Sequence, residues 1–217
     1  MNRQNIKPSA LLYLVVLVFA AQLAGCVSGG STPSRPVEKF MFFYQPPVAS
    51  SEKTSSYAVA VERFSGAQIL RTGAMVYIPE PYRIDSYQFH RWQMPPGEMV
   101  SEFILRDLRN SGLFKAVFGP GDPAPVKLRV FGRVEECQES DVDGKVHAVL
   151  SFQATVIDDG NRGEGRQILF QKFYRHAEPM NSKTPVSMAE AMSRAMKILS
   201  GQIVRDVSEI SKAEVKK

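Results

Sequence analysis

Acidic turns and glycine-rich turns are where this sequence comes nearest to chemistry. Glu139, Asp141, Asp143 and Gly144 stand at positions 1, 3, 5 and 6 of a calcium-binding loop. Position 12 of such a loop supplies a bidentate glutamate. Here it is Leu150, inside a strand-patterned stretch, so the four residues read as a hairpin turn. Gly160 and Gly165 have phosphate-loop spacing, but Arg166-Gln167 replace the Lys-Ser/Thr pair and a strand follows where a helix is needed. His90, His147 and His176 show no metal-ligand spacing, and no Gly-x-Ser-x-Gly elbow occurs. Acid/base carboxylates could come from distant parts of the chain, and nothing singles out a pair. The expectation is a non-enzymatic protein with no cofactor and no metal.

The two cysteines carry a different chemistry. Cys26 follows Leu23-Ala24-Gly25, an arrangement that resembles the bacterial lipobox, in which such a cysteine is acylated and becomes the mature N-terminus. Arg3 and Lys7 precede an unbroken apolar run of 12 residues, Ala10 to Ala21. That is the length of a secretory h-region and well short of the roughly 20 residues that span a bilayer. Residues 1–25 therefore read as a signal peptide. An ordinary cleaved signal and an uncleaved anchor are the plainer alternatives. Each buried methylene contributes about 0.8 kcal/mol, and two or more chains hold firmly. The sorting rule of enteric lipoproteins retains Asp-following cysteines at the inner membrane. Val27 in that position implies the outer membrane, facing the periplasm.

Residues 26–38 are rich in Ser, Gly and Pro and read as a lipidated N-terminus with a flexible tether. Fully extended, the tether reaches about 40 Å. If Cys26 bears lipid, Cys137 has no partner for a disulfide and reads as a partly buried small hydrophobe. Loss of the signal lowers the side-chain charge from +5 to +3, because that stretch carries Arg3 and Lys7 and no acidic residue. With no run of like charges and no aromatics interleaving a basic patch, nucleic acid is not an expected partner.

Residues 39–217 read as a single domain. Short strands are expected at Lys39 to Gln45, Tyr57 to Phe64, Ala74 to Ile78 and Leu113 to Phe118. Three long alternating stretches follow, Val126 to Cys137, Ala148 to Val156 and Gln167 to His176, joined by hairpin-type turns. The helical period appears at 98–110 and at 187–211, the second with Ser187 and Glu190 at capping-box spacing. These elements predict an α+β fold, an antiparallel meander with two main helices packed against it.

The segment from Pro81 to Trp92 is the least ordinary. Tyr82, Ile84, Tyr87, Phe89 and Trp92 fall within it, beside Arg83 and Arg91, and Pro95-Pro96 follow. Such residues dominate binding hot spots, which makes them a candidate partner- or lipid-facing surface. They equally suit the core of a hairpin, since a sheet needs aromatics on one face.

Phe42-Phe43-Tyr44 with its prolines, Tyr77-Ile78-Pro79 leading to Tyr82, and Tyr87-Gln88-Phe89-His90-Arg91-Trp92 form a recognisable series. A helix ending Leu105-Arg-Asp-Leu-Arg109, the long strands and a Met/Ala-rich last helix complete it. The series resembles the ABC-type transport auxiliary lipoprotein family over about residues 40–212. Gln93-Met94-Pro95-Pro96 departs from the family's pattern, in which helix follows the tryptophan directly. The resemblance implies an accessory component of an MCE-type (mammalian cell entry) lipid transport system. Its partners would be an MCE-domain protein with its permease and ATPase, together with lipid acyl chains in transit, and a homo-oligomer is compatible with it. A structural or assembly lipoprotein of the envelope is the alternative.

Overall fold

The computed structural model describes residues 35–50, 55–142, 144–160 and 166–214. Val37–Lys217 form one unit by their internal contacts. Among the described residues the strands are β1 (Glu38–Phe40), β2 (Ser55–Val61), β3 (Ser65–Gly66), β4 (Ala74–Glu80) and β5 (Arg83–Trp92), then β6 (Phe114–Phe118), β7 (Leu128–Val142), β8 (Lys145–Asp158) and β9 (Gln167–Pro179). Helix α1 spans Pro96–Asn110 and helix α2 spans Pro185–Glu214. A single 3-10 turn occupies Gln68–Leu70.

The alternating stretches became the three longest strands. β7 pairs antiparallel with β8, and β8 with β9, from Asp158 back to His147. Gly144, at φ +75°, makes the turn between β7 and β8. Glycine takes that left-handed conformation without the Cβ clash of other residues.

The sheet as a whole is not the antiparallel meander the sequence predicts. It is a mixed sheet of nine strands among the described residues. The second edge of β7 is occupied in turn by three strands, all parallel to it. Val59–Val61 of β2 lie against Leu128–Val130, Ser65–Gly66 of β3 against Arg133–Val134, and Val76–Ile78 of β4 against Gln138–Ser140. β2 also runs parallel to β6, and β1 parallel to β5. The physical reason is the crossover through α1, which returns the chain to the starting end of the sheet. β6 then enters in the same direction as β2. Alternation reports which face a side chain takes, not the direction of the strand beside it.

Both helices bury an apolar stripe. In α1 the stripe includes Met99, Val100, Phe103, Ile104 and Leu108. In α2 it is Met188, Ala191, Met192, Ala195, Leu199, Ile203 and Val207, each fully buried. α2 is 30 residues long, about 45 Å at 1.5 Å per residue, and lies over β8 and β9 beside α1. Facing it are Ala148, Leu150, Phe152, Ala154 and Val156 of β8. Full burial of one such large apolar side chain contributes about 1.5–3 kcal/mol, so this contact stabilises the fold strongly.

α2 begins earlier than the Ser187–Glu190 box predicts. Thr184 accepts from the Ser187 backbone N–H at 3.3 Å, and Pro185 occupies the first helical position. The Ser187 hydroxyl turns the other way and accepts from Asn181 N–H at 3.0 Å. No helix among the described residues is long and apolar enough to cross a membrane. Cys26, the apolar run before it and Asp143 lie outside the described residues.

Candidate interaction site

β4 and β5 form a hairpin that carries the aromatic segment. Its connection is Pro81-Tyr82, and Tyr82 sits at φ +69° with its side chain wholly exposed. A non-glycine residue held there costs about 1–2 kcal/mol relative to the right-handed region. Ile84 is 50% exposed on the same hairpin arm. Arg83 lies between Glu80 at 4.0 Å and Asp85 at 3.8 Å, pairs open to solvent and of little weight in stability.

The register of β5 slips between its pairs Val76↔Ser86 and Ala74↔Arg91. The slip divides the segment in two, with Tyr82 and Ile84 out in solvent, Tyr87, Phe89 and His90 half-buried, and Trp92 buried. The Tyr87 ring stands 5.0 Å from Tyr77 and 6.0 Å from His90, and His90 is 6.0 Å from Phe40. Four rings thus run in a row across β4, β5 and β1. The Tyr87 hydroxyl donates to Glu139 Oε2 of β7 at 2.7 Å. Burial pushes the Tyr87 phenol up, and the Glu139 carboxylate adds to that shift. Burial likewise raises the Glu139 carboxyl above its usual range, against the pull of the Tyr87 bond and of Lys183.

Trp92 belongs to the core. It is 3% exposed, meets Phe42 edge-on at 5.4 Å, and pairs through its backbone N–H with Gly73 O at 2.8 Å. Its indole N–H has no hydrogen-bond partner among the described residues. The candidate surface read from the sequence therefore loses Trp92, because that residue is buried in the core against Phe42. It retains Tyr82 and Ile84, with Tyr87 and Phe89 at the margin.

Sequence reasoning missed Glu139 and Tyr77 as members of this site. Glu139 sat in a set of acidic residues read as a turn, whereas β7 continues to Val142. The available signal was its place two residues from the inward-facing Cys137. Among the described residues no group of His, Cys, Asp or Glu could hold a metal ion. The arrangement offers apolar and aromatic contact with flanking charges, the chemistry of protein or lipid recognition.

The same fold occurs in solved structures of low sequence identity. A crystal structure of a Xanthomonas campestris protein superposes with a TM-score of 0.74 at 14% identity, covering 83% of this chain and 100% of that one. A hypothetical protein from Chlamydia trachomatis gives 0.52 at 14% identity, over 73% of this chain and 99% of that one. Comparison with curated proteins returns no match. The family model described as the ABC-type transport auxiliary lipoprotein component matches residues 43–204, from the first aromatic segment through most of α2. By that match the chain belongs to the ABC-type transport auxiliary lipoprotein family.

Proposed function

We propose that this protein is a non-enzymatic accessory component of an ABC-type lipid transport system, acylated at Cys26 and held at the outer membrane facing the periplasm. Its partner in this reading is an MCE-domain protein working with a permease and an ATPase. The family match over residues 43–204 carries the reading. Leu23-Ala24-Gly25-Cys26 supports the anchor, and Val27 supports the outer membrane as its location. The β4–β5 hairpin supplies the docking element, with the exposed Tyr82 ring as its most prominent contact. Removal of residues 1–25 and a tether over 26–38 would give the domain reach between membrane and partner.

Affinity purification of the full chain from cross-linked native membranes tests the proposal. Recovery of a permease, an ATPase and an MCE-domain protein is the expected result. Recovery of envelope scaffold proteins alone would overturn it in favour of a structural lipoprotein.

A further inference from the structure

Away from the hairpin, two cavities share a wall at the start of α1. The first, about 510 Å³, is bounded by the β2–β3 connection, the 3-10 turn, β7 and Pro95 to Glu98. Arg63, Arg71 and Arg133 line it, against the single carboxylate of Glu98. The second, about 310 Å³, is lined by Met41, Met94, Met99 and Phe103, with Glu102 also on its wall. Arg63 and Glu98 line both. Volumes of this size are ordinary for ligand pockets, at about 300–1,000 Å³.

The two linings differ in chemistry. Arg71 is held by Gln68 Oε1 at 3.1 Å and Arg133 by Glu135 at 3.0 Å, while Arg63 has no ion pair among the described residues. Three planar guanidinium groups around one cleft match the several acceptor oxygens of a phosphate. The apolar pocket beside it is lined by methionines, which adapt to the shape of a flexible chain. Gly97 keeps the cleft floor low, since a Cβ there would lie 2.5 Å from Phe64 O.

We infer that the paired cavities form a binding site for one phosphate-headed amphiphile, its head among Arg63, Arg71 and Arg133 and its apolar chain between Met41, Met94 and Phe103. The arginines set the position of the phosphate, and Glu98 at the shared wall favours a head that also carries an ammonium group. This goes beyond the transport reading, because the site is assayed on the chain alone, without any transport partner. Failure of either therefore leaves the other standing.

The test is calorimetric titration of the full chain, held in amphipol against a protein-free blank. The probes are dihexanoyl phosphatidylglycerol, dihexanoyl phosphatidylethanolamine and inorganic phosphate. Both lipids are expected to saturate one site, with inorganic phosphate weaker by about tenfold or more, since it lacks the apolar contact. Arg63→Ala with Arg71→Ala should weaken lipid binding about tenfold or more, the effect of losing charge-assisted hydrogen bonds. Met41→Ser should weaken the lipids and leave phosphate unchanged. All three side chains are exposed, so urea midpoints should match the parent and exclude misfolding as the cause. Phosphate binding as tightly as lipid, with Met41→Ser silent, would reduce the site to a free-anion site and overturn the proposal. Absence of lipid binding, or full binding by the double-arginine variant, would overturn it as well.

Discussion

The hydroxyl of Tyr44 donates a 2.6 Å hydrogen bond to Asp107 Oδ2, tying the stretch after β1 to the last turn of α1. Arg106 completes the contact, its guanidinium 4.2 Å from the Tyr44 ring and 4.4 Å from that of Phe103, with Nε donating to Asp107 Oδ1 at 2.8 Å. Asp107 is 2% exposed, so its carboxylate depends on these two donors for the solvation it has lost. Tyr44→Phe should lower stability by about 1–3 kcal/mol, because it leaves one oxygen of a buried anion without its donor. Denaturant midpoints measure this. A double cycle with Asp107→Asn should show coupling, and additive losses would place the stabilisation in ring packing instead.

The aromatic segment offers a sharper division. Trp92→Ala empties a core position and should cost about 3–5 kcal/mol. Tyr82→Gly replaces an exposed ring at φ +69° with the residue best suited to that conformation. Its stability should stay within about 1 kcal/mol of the parent. Partner binding should fall about thirtyfold, as for loss of a hot-spot ring. Equal stability losses from the two variants, with binding intact, would remove the hairpin tip from the docking surface.

Glu139 and Asp159 should give opposite dependences on pH. Burial raises the Glu139 carboxyl above its ordinary value of 4.5, so the folded protein keeps this proton to higher pH than the unfolded chain does. Its contribution is full below that value and is lost as pH rises through the folded pKa. Asp159 is lowered from 3.8 by bonds from Arg129, with Arg166 adding to the effect. Its contribution is present above the unfolded value and lost as pH falls through the folded one. Thermal scans from pH 3 to 8 should show Glu139→Gln gaining on the parent toward neutral pH. Asp159→Asn should lose ground over the same range. Tyr87, Asp141 and Lys183 also face Glu139, so parallel curves for parent and Glu139→Gln would assign the effect to them.

Two glycines permit close backbone approach. A Cβ on Gly132 would lie 2.3 Å from Gln153 O and 2.5 Å from the Phe64 ring. On Gly97 it would meet two carbonyl oxygens at 2.5 and 2.7 Å. Neither neighbour is a flexible side-chain end, so each Gly→Ala should destabilise by about 1–3 kcal/mol through overpacking. Urea midpoints unchanged in both would show that the sheet yields there.

Cys137 is fully buried, and burial pushes its thiol far above the usual range. In the native protein it should resist a thiol reagent that reacts with it fully once the chain is denatured. Rapid native labelling would place the residue at an opening in the sheet.

The strand faces, the helical stripes and the β7–β8–β9 pairing were legible because each rests on a local period or a nearby turn. The pairing of Val59 with Leu128 was not, since no turn links them and parallel strands carry no signature of their partner. Trp92 shows the same limit within the candidate site. Alternation from Tyr82 suggests one continuous surface, but an irregularity between Ser86 and Arg91 sends the end of β5 into the core. Glu139 was hidden for a different reason: acidic residues near a glycine look alike whether they form a turn or lie along a strand.

The handover along one edge of β7 also governs the order in which the chain can fold. β7, β8, β9 and α2 are consecutive, and each meets its neighbour across a short loop. β2, β3 and β4 must wait for a strand that follows some 60–70 residues later in the chain, with the loop-closure cost and slow pairing that such separations bring. A chain delivered N-terminus first carries Val59, Val61, Met75 and Val76 without their final cover until Leu128 to Ser140 has arrived. The first half is therefore the part in need of protection from aggregation during synthesis or passage across a membrane, and the second half is its template.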